Sequence, residues 1–311
     1  MKKGMISVIM ATYNRKHLIC EAIDSVLNQT YKNFEIIIID DCSSDGTGEM
    51  ISEKYGDIKC ISYHRNEKNL GCGISRRNAL QNYAKGEFIN FLDDDDRFIN
   101  EKYFEEAIKL FNDNKKVSVV CAPHIVDDVV YKTTREVSFP YKKYVDGSEF
   151  LLNFCSEKYP KPIISVAIIR KSMFEKANWQ DMKILNDTTI FLRLLTVGDM
   201  GFVKKCSAKY TVHGNNISFN CDPDFINDNL EEKLKVYELL KKNKKFDDNT
   251  LIDWLYYQMD VTIVYFIRGS KPNYFQFRKV LNWYKKNVKN KQRVNYYKEV
   301  YKESKGKEKF I

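Results

Sequence analysis

Residues 88–98 read FINFLDDDDRF, a short apolar run that ends in four consecutive aspartates, Asp93 to Asp96. Phe88, Ile89, Phe91 and Leu92 have the character of a buried strand. Four adjacent carboxylates cannot continue into a core, because unpaired buried charge is too costly. They must emerge at the strand's end, where their mutual repulsion calls for a counter-charge. A hard divalent cation such as Mg2+ or Mn2+ is the simplest one, since both prefer carboxylate oxygen and leave positions open for phosphate. A solvated acidic turn is the competing reading, and the surrounding sequence decides between them.

Upstream, Ile6–Ala11 (ISVIMA) reads as an apolar strand, and Asn14 is placed to cap the helix that follows. Leu18, Ile19, Ala22, Ile23, Val26 and Leu27 then recur as one helical stripe. Phe34–Ile39 is a second apolar strand, ending at Asp40-Asp41, and CSSDGTG after it is loop chemistry. A helix over 48–55, a strand over 58–64 and a helix over 71–85 lead into the strand before the aspartates. This alternation predicts an α/β fold, a mostly parallel sheet flanked by helices with right-handed crossovers. Ligands of such sheets sit outside the carboxyl ends of the strands. The polar clusters Thr12–Asn14, Asp40–Asp41 and Asp93–Asp96 all fall there. Further on, 117–121, 163–169 and 209–213 read as strands, 103–111 and 187–195 as helices, and the chain from about Pro223 as helical. Two domains are expected, 1–222 and 223–311.

The bulk composition, 43% hydrophobic and 30% charged, is that of a globular protein with a sizeable core. The eight cysteines include no C-x-x-C pair, which argues against zinc and for free thiols in a reducing cytoplasm. No signal peptide is expected, because the apolar stretch Met5–Ala11 stops at Thr-Tyr-Asn-Arg. The most apolar long window, Leu251–Ile267, is short for a bilayer span and carries Asp253, Gln258 and Asp260. A dinucleotide oxidoreductase would need a Gly-rich turn after the first strand, and ATYNRK has none. An aspartyl phosphatase would carry its D-x-D there instead.

These clusters in this order resemble the inverting family 2 glycosyltransferases of the GT-A, Rossmann-like fold. The matching pieces are SVIMATYNR (7–15), AIDSVLNQTY (22–31), FEIIIIDDCSSDGT (34–47), NLGCGISRRNAL (69–80), GEFINFLDDDD (86–96) and YTVHGNNIS (210–218). The resemblance implies transfer of a sugar from a nucleotide-diphosphate donor, with UDP the usual nucleotide, to a glycan or lipid-linked acceptor. It implies Thr12, Tyr13, Asn14, Asp41, Arg77, Asn78 and Asp93 at the nucleotide, Asp94 and Asp96 near the donor sugar, and Asp95 and His213 at a Mn2+ or Mg2+ ion. Asp40 would brace the loop, and Arg76 reads first as a solvated helix face, with a phosphate contact as its alternative. The family usually places its base second in a Glu-Asp pair that starts a helix. Here that pair is Asn186-Asp187, so Asp187 is the expected base, with a helix cap as its alternative role. His17, His64 and His124 lack motif context and read as surface or loop residues. A noncatalytic nucleotide- or glycan-binding relative is the second reading, suggested by the missing glutamate.

The net charge of +9 is unevenly placed: Gly269–Ile311 carries +10 and the rest of the chain −1. With its interleaved aromatics, this segment fits an anionic membrane surface, a solvated helical bundle or an oligomer contact. No recognition motif supports nucleic acid. A cytoplasmic protein is the expected setting, with peripheral attachment at the inner face of the membrane ranking just below the solvated bundle or oligomer contact.

Overall fold

The computed structural model describes residues 1–139, 142–213 and 222–306. The chain divides into two compact units, Met1–His213 and Gly214–Ile311.

The first unit begins β1 (Lys2–Thr12), α1 (Ile19–Leu27), β2 (Phe34–Asp40), α2 (Thr47–Tyr55), β3 (Ile61–Arg65), α3 (Cys72–Asn82) and β4 (Gly86–Phe91). It continues β5 (Arg97–Phe98), α4 (Tyr103–Asp113), β6 (Val117–Cys121), β7 (His124–Asp128), β8 (Thr133–Val137), β9 (Tyr144–Val145), α5 (Gly147–Leu152), β10 (Ile168–Arg170), α6 (Lys171–Lys176), α7 (Asp187–Leu195), β11 (Asp199–Phe202) and β12 (Ala208–Val212). An eight-stranded sheet runs in the order β3-β2-β1-β4-β10-β6-β11-β9. Its β3-β2-β1-β4 half is parallel, as strand–helix alternation requires. Strands covered on both faces read as unbroken apolar runs, and Met5–Met10 of β1 is such a run, with Ser7 its one buried polar member.

Register fixes the site. Thr12 lies beside Asp40, and Ile9 beside Phe91, so β1, β2 and β4 end on one edge. At the opposite edge, where β4 begins, Gly86 allows a close approach to β1: a Cβ would meet the Met5 carbonyl at 2.6 Å and the Ser7 amide at 2.8 Å. Asn90, buried mid-strand, donates from Nδ2 to the Ser165 and Ala167 carbonyls, 2.9 Å each, and joins β4 to its neighbour.

The sequence reading of a strand over 163–169 needs correction. Ile164–Val166 is a 3-10 turn, and only Ile168–Arg170 pairs, antiparallel to both β4 and β6. A second sheet, β5-β12-β7-β8, is built around a hairpin that the sequence reading did not assign. It carries Thr211 and His213 toward the aspartates.

The second unit is helical: α8 (Pro223–Asn243), α9 (Asp248–Gly269), α10 (Tyr274–Asn287) and α11 (Lys291–Gly306). Asp222, Asp247 and Asn273 cap the first three with side-chain oxygens, and Gln276 completes a capping box with Asn273. Phe277, Val280, Leu281 and Tyr284 form the buried stripe of α10, with Tyr284 edge-on to Tyr297 at 5.1 Å. Among the described residues no helix is long and apolar enough to cross a membrane.

Candidate active site

The loops after β1 and β2 lock to each other. The Asn14 amide donates to Ser43 Oγ at 2.9 Å, and Asn14 Oδ1 accepts from the Ser44 amide at 2.8 Å. Asn14 holds a left-handed φ of 51°, which its short polar side chain tolerates. It is therefore not the cap of α1, which starts at Ile19 without a side-chain cap. Tyr13 beside it is exposed, and Thr12 is buried with its hydroxyl next to Asp94.

Asp40 and Asp41 are both buried. Asp40 accepts from the Ser43 amide at 2.7 Å and from the Tyr63 hydroxyl at 2.5 Å. Asp41 Oδ1 accepts from Asn66 Nδ2, the Leu70 amide and Ser75 Oγ at 2.8–3.1 Å, and Oδ2 from the Gly71 amide at 2.7 Å. Asp41 thus shapes the 66–71 loop and keeps acceptor capacity on Oδ2.

Helix α3 presents Arg76, not Arg77, to the aspartates. Arg76 is 6% exposed, pairs with Asp93 Oδ1 and lies over the Phe91 ring. The reading of Arg76 as a solvated face fails because it shares a stripe with buried Ala79 and Leu80, three and four residues on. Arg77 instead donates to the Gln180 and Met182 carbonyls and stacks over Trp179, holding the segment before α7. Asn78 is half-buried on the same helix.

The aspartates of the run are partnered unequally. Asp94 Oδ1 and Asp95 Oδ2 share Arg15 Nη1, at 2.8 and 2.5 Å. Asp95 Oδ2 also meets His213 Nε2 at 2.9 Å. Asp96 turns inward, accepting from Ser165 Oγ at 2.5 Å and the Thr211 amide at 3.1 Å. Arg15, the last residue of ATYNR, had no role in the sequence reading; its only signal was its place in the motif. Gly214–Ser218 of the YTVHGNNIS stretch lies outside the described residues.

Oxygens of Asp93, Asp95 and Asp96 lie within 4.8 Å of one another, a geometry able to hold a cation. Burial, with the neighbouring carboxylates, raises the Asp93 and Asp96 pKa values, against the pull of Arg76 on Asp93. Burial pushes Asp94 up to about 6 despite Arg15. Crowded oxygen donors whose ionised forms are disfavoured suit a hard divalent cation. Nearby, burial raises the Cys72 thiol, so Cys72 is not an activated nucleophile.

Asp187 is the first residue of α7, where the helix dipole favours a carboxylate. It is not the cap: Asn186 is, accepting from the Thr189 amide at 3.0 Å, while Thr189 Oγ1 accepts from the Asn186 amide. The Asp187 side chain is 28% exposed, lies 3.4 Å from Lys161 Nζ, and is near enough to Asp93 to raise its pKa.

Carboxylates at the ends of parallel strands, facing a helix N-terminus with another, define a GT-A class of fold and site. Residues 7–177 match the model of glycosyl transferase family 2. The chain belongs to that family. An uncharacterized glycosyltransferase of Rickettsia typhi is 32% identical over 219 residues, 67% of this chain and 64% of its own length. The chain therefore spans less than two thirds of that relative. The Escherichia coli UDP-Glc:alpha-D-GlcNAc-diphosphoundecaprenol beta-1,3-glucosyltransferase WfaP is 41% identical over 115 residues, 34% of this chain and 43% of its own. The S. aureus TarS 1-349 crystal structure with UDP-GlcNAc superposes with a TM-score of 0.66 at 19% identity, covering 89% of this chain and 79% of TarS 1-349. At that identity the likeness is one of fold.

Proposed function

We propose that this chain is an inverting glycosyltransferase of surface polysaccharide or glycoconjugate synthesis. It moves a sugar from a UDP-sugar donor to a hydroxyl of a glycan or lipid-linked acceptor. The carrying observation is that the Asp93–Asp96 carboxylates and Asp187, from separate elements, converge on one sheet edge. The names of WfaP, which include UDP-Glc and a diphosphoundecaprenol acceptor, and the UDP-GlcNAc complex of TarS support this donor and acceptor chemistry.

Thr12, Tyr13, Asn14 and the free face of Asp41 flank the nucleotide, and Asp93 faces the ribose. Arg76 takes the place expected of Arg77, with Asn78 beside it. Asp95, with Asp93 and His213, would hold Mn2+ or Mg2+, and Asp96 supports that loop from below. Bound there, the ion would offset the charge developing on the β-phosphate. Asp94 stands toward the donor sugar. Asp187 accepts the acceptor hydroxyl's proton as that oxygen bonds the anomeric carbon and the carbon–phosphate-oxygen bond breaks. A single displacement of this kind inverts the anomeric centre. Lys161 Nζ, 3.4 Å from Asp187 Oδ2, holds that carboxylate in place at the start of α7.

Calorimetric titration with UDP, GDP, CMP and dTDP, with and without Mn2+, tests the donor site. UDP should bind, and more tightly with Mn2+. Asp187→Asn should keep that binding while transfer falls by about 10²–10⁴-fold. Full transfer by Asp187→Asn would remove it as the base. A folded protein that binds none of the four nucleotides would move the noncatalytic reading to first place.

A further inference from the structure

Residues Val261–Lys298 contain ten Lys/Arg and no Asp or Glu. This run covers the end of α9, all of α10 and the start of α11. The apolar stripe of α10 is used up inside the unit by Phe277, Val280, Leu281 and Tyr284. The opposite face is a second, different surface. Phe275 stands 78% exposed at its N-terminal end. Arg278, Lys279, Asn282 and Lys286 follow at three, four, seven and eleven residues and are exposed on the same side. Tyr274, 57% exposed, flanks it, and Lys271 lies just before the helix. Lys279 pairs with Asp224 at 2.6 Å, but at an exposed position where such a pair contributes little.

We propose that this outer face of α10 docks on an anionic bilayer, with Phe275 and Tyr274 at the headgroup–acyl boundary and Arg278, Lys279 and Lys286 against lipid phosphates. A Phe held in water on a rigid helix, with the Tyr274 ring edge-on at 6.0 Å, gains little from packing, yet it gains by entering the interfacial region. The surrounding cations supply attraction to anionic headgroups and can extend their stems over apolar surface. A second copy is the weaker occupant, because this face against itself would oppose like charges. No helix of the described residues crosses a membrane, so the face would lie on the surface. The inference extends the proposed lipid-linked acceptor by naming the surface that brings the chain to it, but the binding itself is independent of donor chemistry.

Co-sedimentation of the full chain with phosphatidylcholine vesicles, with and without phosphatidylglycerol, tests it. The chain should pellet with the anionic vesicles and release at high salt. Phe275→Ser should weaken binding about tenfold, the scale of one exposed Phe. Arg278→Glu and Lys286→Glu should each weaken it at least about fivefold, the scale of one interfacial charge. These positions are exposed, so the variants should keep wild-type melting and UDP binding. Loss of vesicle binding with UDP binding intact then speaks only to the docking face. Failure of the wild type to pellet, or equal pelleting of all three variants, overturns the proposal. So does a change of oligomeric state in Phe275→Ser by sedimentation velocity, or binding of a single-stranded oligonucleotide, lost in these variants, in place of vesicles.

Discussion

Two acidic clusters sit on the same sheet edge and are balanced in opposite ways. Asp40 and Asp41 are held by neutral donors: the backbone amides of Ser43, Leu70 and Gly71 and the side chains of Tyr63, Asn66 and Ser75. These donors come from the loops after β2 and β3 and from the elements beside them, Tyr63 on β3 and Ser75 on α3, so the carboxylates fix loop shape. Asp93, Asp94 and Asp95 are held by side-chain cations, Arg76 and Arg15, with His213 on Asp95. A guanidinium on a flexible stem can leave, whereas an amide in a buried loop cannot. The first cluster is scaffolding with one acceptor to spare. The second is a charge balance that another cation can enter.

The largest effect should come from the exchangeable cluster. Asp95→Ala should abolish the Mn2+ dependence of UDP binding and reduce transfer by about 10³-fold, because the loss falls on charge developing in the transition state. The protein should stay folded, since Arg15 keeps Asp94. Isothermal calorimetry and a transfer assay read both. If Asp95→Ala leaves metal dependence intact, the contrast between the clusters collapses.

Asp41→Ala should act oppositely, on stability first. It takes the acceptor from the Leu70 amide and the Ser75 hydroxyl and one of two acceptors from Asn66 Nδ2 and the Gly71 amide, at a cost of about 3–5 kcal/mol in total. Chemical denaturation should show this with or without Mn2+. A stable Asp41→Ala protein that loses only nucleotide affinity would make Asp41 a ligand group rather than a loop anchor.

His124 sharpens the comparison from the cationic side, as a buried base whose neighbours are the wrong sign. It is 2% exposed on β7, and burial, with Arg135 and Lys161 nearby, pushes its pKa down to about 4. Its reading as a surface or loop residue is corrected accordingly. The folded pKa lies below the unfolded one, so the unfolded chain takes the proton first as pH falls. Stability should therefore be full above pH ~6.5 and fall by about 3 kcal/mol toward pH ~4. His124→Gln should flatten that part of the stability profile; an unchanged profile would mean other groups set it.

What could be read from sequence divides along the same physical line. The runs at Ile6–Ala11, Phe34–Ile39 and Phe88–Leu92 announce parallel strands because burial on both faces leaves no alternation to confuse. Four aspartates after one of them must sit at an edge. Partner choice was not readable. Arg76 and Arg77 are adjacent and chemically identical, and only the packing of Ala79 and Leu80 turns one inward. Asn186 looked like a defect in a Glu-Asp pair, yet its side chain is what caps α7. The apolar stretch 163–169 carries no mark of direction, so its antiparallel insertion between β4 and β6 was invisible. The β7–β8 hairpin was missed because exposed Thr133–Val137 has no apolar alternation.

The smallest effect is also the most discriminating, because its sign differs between readings. Arg15 shares one nitrogen between Asp94 and Asp95, and the Asp95 oxygen it holds is the one that faces His213. If Arg15 is the charge that a divalent ion replaces, removing it frees Asp95 for that ion. Arg15→Ala should then lower the melting temperature of the metal-free protein, by about 1 kcal/mol of stability for a partly buried charged contact. It should also tighten Mn2+ binding in the absence of nucleotide by up to about tenfold and enlarge the Mn2+-induced rise in melting temperature. Arg15→Lys should fall between, because a single ammonium bridges two carboxylates less well than a guanidinium. Weaker Mn2+ binding in Arg15→Ala would mean that Arg15 shapes the carboxylates for the ion rather than competing with it, and the second cluster would then be scaffolding like the first.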